Sequence, residues 1–125
     1  MARQLAGIFG IILLLTGVVG LVLGEGPLLT LNIELVEDII HIVTGGVLAY
    51  VGFGQRDEGL ARTVLGVFGV VYVLVGVLGF VVPNLFGLLP RYGYSISDNL
   101  LHLGLGVVFL AVAYMSRGRE TLLSR

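Results

Sequence analysis

Two histidines carry most of the chemistry this chain offers, and they sit in matching surroundings. His41 follows Glu37 by four residues and Asp38 by three, while His102 follows Asp98 by four and Asn99 by three. On a helix, residues three and four apart share a face, so each imidazole is expected beside a carboxylate or an amide. Three kinds of chemistry fit. Each imidazole can hydrogen-bond its own acid or amide, or a carbonyl exposed by a glycine on a neighbouring helix, and be purely structural. The two histidines, with Glu37, Asp38 and Asp98 nearby, can instead ligate a divalent metal or a haem iron. A mononuclear zinc site would then need a third protein ligand from these acids. The third possibility is a proton or quinone site. The chain has no H-E-x-x-H, no nucleophile elbow and no Ser-His-Asp order. With no Cys there is no thiolate catalysis, iron–sulfur cluster or disulfide. The reading is therefore of a non-enzymatic protein with no resident cofactor, a metal or haem entering only through His41 and His102.

The elements that must position these residues are membrane helices. Of 125 residues 57% are hydrophobic and only 12% charged, against roughly 25% charged in a soluble domain, so the chain lacks the polar surface to cover itself in water. A mean hydropathy of +1.06 agrees. Seven basic residues, all Arg, against eight acidic ones give a net charge of −1, which excludes a basic nucleic-acid binder. A bilayer core of ~30 Å needs about 20 apolar residues in helix. Four segments meet this: 5–23, about 37–53 with its helix starting near Asn32, 63–82, and about 98–115. Open strands cannot satisfy their backbone in lipid, so the expected fold is an all-α, four-span bundle in one domain over 1–125. The first apolar run is longer than a signal-peptide core and lacks a small-x-small site after it, so it is read as a retained span. Arg3, Arg56, Arg62, Arg117, Arg119 and Arg125 fall on one side and Arg91 alone on the other. The positive-inside rule then places both termini in the cytoplasm of a cell-membrane protein, with both histidines about one turn below the outer surface.

The chain also repeats itself. Gly7-Ile-Phe-Gly10 matches Gly66-Val-Phe-Gly69, and Gly17 and Gly20 match Gly76 and Gly79, all at an offset of 59. Beyond the outer loop the offset becomes 61, pairing Glu37-Asp38-Ile-Ile-His41 with Asp98-Asn99-Leu-Leu-His102 and Gly45 with Gly106. Repeat 1 runs over about 5–54 and repeat 2 over about 63–116. Two spans per unit make the copies parallel, with an axis along the membrane normal. Gly10 and Gly17, like Gly69 and Gly76, are two turns apart and share a face. Thr16, Gly20 and Gly24 form a second small-residue row, and Gly45 and Ala49 another. In lipid such faces let backbones approach, so they are assigned to helix–helix contacts inside the bundle, between copies of the chain, or both.

Outside the spans, Ser95 and Asp98 look like a capping box and Asn32 a cap for the second helix. The segment 83–97 reads as an interfacial lid anchored by its aromatics, and Tyr50, Phe53 and Tyr114 as interface anchors. Thr44 and Tyr72 lie nearer mid-membrane, each hydroxyl expected on a helical carbonyl. The tail Arg117–Arg125 reads as short, charged and frayed.

With two copies of a Gly-rich helix, an outer loop and an Asp/Asn-x-x-His-x-x-x-Gly helix, the chain resembles a prokaryotic family of small four-helix membrane proteins catalogued as a domain of unknown function. The resemblance runs through Asp38-Ile-Ile-His41-Ile-Val-Thr-Gly45 and Asn99-Leu-Leu-His102-Leu-Gly-Leu-Gly106 and covers nearly the whole length. It implies the four-helix bundle and a shared role for His41 and His102, and no activity. The function expected first is structural or accessory, through glycine-mediated association in the bilayer with a second copy or a membrane-protein partner. A metal, haem or quinone site at the histidines comes second, and a small transporter or channel third.

Overall fold

A computed structural model describes the backbone of residues 1–123 and the side chains of residues 1–116; the expectation for the tail Arg117–Arg125 lies outside the described side chains. Four long helices dominate: α1 (Ala2–Leu23), α2 (Leu35–Ala49), α3 (Glu58–Val81) and α4 (Ile96–Leu123). A π-helical turn, Tyr50–Gly54, prolongs α2 to 20 residues. All four helices are long and apolar enough to cross a bilayer. The 22 residues of α1 span ~33 Å at ~1.5 Å per residue, against a ~30 Å hydrocarbon core.

The helix ends follow local chemistry. At the start of α3 the Asp57 side chain accepts from the Leu60 amide at 3.0 Å. At α4 the capping box is present: the Asp98 amide donates to Ser95 Oγ at 3.1 Å, and the Ser95 amide donates to Asp98 Oδ2 at 2.8 Å. For α1 the N-terminal donors are met from across the fold. The Met1 ammonium, at 2.9 Å, and the Ala2 and Arg3 amides all converge on the Glu58 carboxylate, which also accepts from Ser116 Oγ at 3.2 Å. The expectation for Asn32 is corrected. It does not cap α2, whose N-cap is Glu34, but lies in a small hairpin of β1 (Gly26–Leu28) and β2 (Leu31–Ile33), with Pro27 opposite Asn32.

α1 with α2, and α3 with α4, each form a tight hairpin, and the glycines are where the backbones meet. A Cβ on Gly10 would strike the Ala49 amide and lie 2.8 Å from the Gly45 carbonyl; one on Gly45 would lie 2.6 Å from the Leu14 amide. In the other hairpin, a Cβ on Gly69 would lie 2.8 Å from Leu110, and one on Gly106 would lie 2.7 Å from the Val73 amide. Gly17 meets Asp38 and Ile42, and Gly76 meets Leu103. Gly20 faces the Asp38 carboxylate, and Gly79 faces the Asn99 amide. The same pairings thus recur at corresponding positions of the two hairpins. The row Thr16–Gly20–Gly24 is not a contact row. Thr16 is exposed with its hydroxyl on the Ile12 carbonyl, and Gly24 is the left-handed end of α1 with nothing within 4 Å. The packing row of α1 is Gly10, Leu13, Gly17 and Gly20.

Between hairpins the contact is narrower. Phe9 of α1 stacks edge-on against Phe109 of α4 at 5.1 Å, and Phe109 also meets Tyr72 of its own hairpin at 5.7 Å. Leu13, Leu48, Leu65 and Val112 join them in the core. Most other large apolar side chains face outward, among them Leu15, Val22, Val67 and Tyr114, as expected of surfaces that meet acyl chains instead of water.

Gly10→Leu and Gly106→Leu force backbone atoms apart and are expected to cost at least the ~1–3 kcal/mol typical of overpacking. Gly104→Ala, at an open helical position, is expected to be neutral or to stabilise by up to ~1 kcal/mol. Thermal unfolding in mild detergent, followed by circular dichroism, separates the two classes.

Candidate functional site

The end of the bundle that carries the β-hairpin is where the polar residues gather. Two connections interlock there. The Glu34 side chain, 1% exposed, accepts from the amides of Tyr92 and Gly93, the latter at 3.0 Å. Gly93 has φ +65, and a Cβ there would sit 2.8 Å from the Pro83 carbonyl, so only glycine fits this turn. The Asn32 amide donates to Asp98 Oδ2 at 3.1 Å, and its side chain donates to the Gly93 carbonyl at 3.1 Å. Asp98 also accepts from Ser95 Oγ at 2.9 Å. Two buried carboxylates thus bind each loop to the opposite hairpin.

Asp98 is therefore occupied, and His102 does not pair with it. His102 reaches across the hairpin interface: its Nε2 lies 3.4 Å from Glu37 Oε1, and His41 Nε2 lies 3.8 Å from the same oxygen. The imidazole centroids are 6.4 Å apart, with the rings inclined by 49°. The expectation that each histidine meets its own acid holds for His41 and Glu37 only. Asp38 and Asn99 are not part of the cluster. Both turn to the glycines of the adjoining helix, Gly20 and Gly79, because only a missing Cβ leaves room for them there.

Aromatic rings enclose the cluster. Tyr94 packs edge-on against His102 at 4.7 Å, and Tyr72 lies 5.6 Å from it. Tyr94 is buried, not an interfacial anchor, and burial together with the nearby carboxylates raises its phenol well above the usual range, so it stays neutral. The lid contributes Leu89 and Tyr94 to the interior and leaves Phe86, Leu88 and Tyr92 exposed. Thr44 donates to the Ile40 carbonyl at 2.8 Å as expected. Tyr72 does not follow suit: its buried hydroxyl meets no carbonyl. The same is true of the buried Nδ1 atoms of both histidines, which have no hydrogen-bond partner.

Glu37, His41 and His102 form one wall of a cavity of about 580 Å³. Leu28, Leu31 and Ile33 of the hairpin roof it, and Phe9, Leu13 and Leu105 line its deeper part. Leu15, Val19 and Leu23 of α1 and Leu101 of α4 also line it and are exposed, so part of its rim lies on the apolar outer surface of the bundle. From Phe9 to Leu23 it follows α1 for ~21 Å at ~1.5 Å per residue.

Sequence reasoning missed Glu34, Glu58, Tyr72 and Tyr94 as partners of the polar framework. Glu34 had a signal: at the offset of 61 it corresponds to Ser95, the N-cap of the equivalent helix. Glu58 had none, because its partners are the Met1 ammonium and first amides of α1 and the Ser116 hydroxyl of α4, all far away in sequence.

A family model described as Domain of unknown function (DUF4383) matches residues 3–115, which is nearly the whole chain. No curated protein and no solved structure matches.

Glu34→Ala leaves two loop amides without an acceptor and is expected to cost ~1–3 kcal/mol, more than Glu34→Gln, which retains one acceptor oxygen. Thermal unfolding checks the ranking, and proteolysis between Pro83 and Ser95 should quicken in the same order.

Proposed function

We propose that this chain, which belongs to the DUF4383 family, is a membrane-embedded binding protein that takes a neutral, lipid-soluble molecule of the quinone–quinol class from the bilayer. The cavity carries the reading. Its flank is apolar and opens to where acyl chains lie, and its inner wall offers two imidazoles and a carboxylate. Such a site suits a molecule with a long apolar body and a head of hydroxyl or carbonyl oxygens. Asp38, Asp98 and Glu37 line it, and none of the described lining residues is Arg. A phosphate head would meet repulsion there, whereas a quinol hydroxyl finds acceptors and a quinone carbonyl finds an imidazole N–H.

Association through glycine, the role expected first, is left with less surface: Gly10, Gly17, Gly20 and Gly45, and Gly69, Gly76, Gly79 and Gly106, are each covered by the partner helix of their own hairpin. A homo-oligomer or partner complex would have to use another face. The Arg distribution supports a cell-membrane topology with both ends in the cytoplasm, which sets the cavity in the outer leaflet.

Purified protein titrated with a decyl-chain benzoquinone and its quinol, by equilibrium dialysis against empty micelles, is expected to bind one molecule per chain saturably. Val19→Trp fills the exposed mouth without touching the core. It is expected to weaken binding at least about tenfold, which is ~1.4 kcal/mol. Uptake no different from that of empty micelles in both redox forms refutes the reading.

A further inference from the structure

In the Glu37–His41–His102 cluster one carboxylate oxygen faces two imidazoles that come from different hairpins. Glu37 Oε1 stands 3.4 Å and 3.8 Å from the two Nε2 atoms, and one donor atom from each of the three residues lies within 4.8 Å of the others. Two ligands held ~2.0–2.1 Å from a tetrahedral ion are themselves ~3.4 Å apart. The Glu37–His102 separation matches that value and the Glu37–His41 separation is 0.4 Å longer, so a small shift of the His41 side chain brings all three donors onto one small ion. Burial sharpens the point. His102 is 5% exposed and Glu37 7%, yet each imidazole also carries an unpartnered Nδ1. Three carboxylates border this part of the cavity without a described Arg in its lining, so the wall favours a cation.

The donor set selects among cations. Two borderline imidazoles with one hard carboxylate suit zinc and its first-row neighbours; magnesium and calcium prefer all-oxygen shells. Three protein ligands leave a coordination position open, as in zinc sites that bind a further molecule. All three ligating residues line the cavity.

We infer that Glu37, His41 and His102 form a three-ligand site for a divalent ion of the zinc type. It draws two ligands from one hairpin and one from the other, so metal binding also clamps the two repeats together. The site goes beyond the quinone reading and stands without it.

The test uses the full chain in mild detergent, stripped with a chelator and titrated with zinc alone, then with cobalt(II) as a coloured substitute. One zinc per chain is expected, with a rise in unfolding temperature, and cobalt should give the intense visible bands of a four-coordinate ion. Glu37→Gln and His102→Ala should each weaken zinc binding by more than the roughly 10- to 100-fold contributed by residues that merely support a ligand. Gly104→Ala, at an open helical position outside the cavity lining, should keep the stoichiometry. Should His102→Ala fail to fold, the unaltered protein decides through its cobalt spectrum. The pale spectrum of the six-coordinate aqueous ion, or zinc uptake no greater than that of Glu37→Gln, overturns the assignment. Quinone uptake without zinc would overturn it too while leaving the cavity reading in place, and zinc uptake without quinone would do the reverse.

Discussion

An ionisable side chain inside a bilayer has to find its partners within the protein, and Glu37 has only the two imidazoles beside it. A buried unpaired carboxylate is costly enough to be avoided. His41 lies one turn further along the same helix and comes at no topological cost. His102 lies on another hairpin, and bringing it within 3.4 Å requires that α2 and α4 meet at this level. That approach marks where the two hairpins meet and supplies part of the cavity wall.

The hairpins themselves are held by a different force. In lipid, apolar surface gains little by leaving acyl chains, so close packing between backbones has to supply attraction. Glycine rows give it along almost the whole length of α1 against α2 and of α3 against α4. Between hairpins there is no matching row. Contact narrows to the Phe9 and Phe109 rings near the middle and to polar locks at each end: Glu58 with the N-terminus of α1, and Glu34 and Asp98 with the loops. Two tightly zipped hairpins joined loosely leave space beside the join, and the cavity occupies that space.

The two repeats put the same positions to unequal use. Asp38 and Asn99 do alike, each lying over a glycine. Glu37 and Asp98 do not. The extra methylene of Glu37 lets it reach the other hairpin, while the shorter Asp98 is held at its own helix start by Ser95 and Asn32. His102 then turns to Glu37 because Asp98 is engaged. A symmetric arrangement would have produced two separate acid–imidazole pairs; the asymmetric one produces a single cluster.

The four spans, the all-α bundle and the corresponding glycines were readable from one dimension, because lipid forces helix and because seven-residue spacing forces a shared face. The capping box of α4 and the pairing of Glu37 with His41 were readable too, being contacts within three or four residues. What depends on distance along the chain was not: Glu58 under the N-terminus of α1, Glu34 beneath the 92–93 turn, Tyr94 folded onto His102, and His102 taken from Asp98 by Glu37. Periodicity says which face of a helix is occupied, not which of several acids near that face is already bound. The meeting of Glu37, His41 and His102 was decided by how the two hairpins dock, since competition for buried partners is settled only once every contender has been brought to the same place.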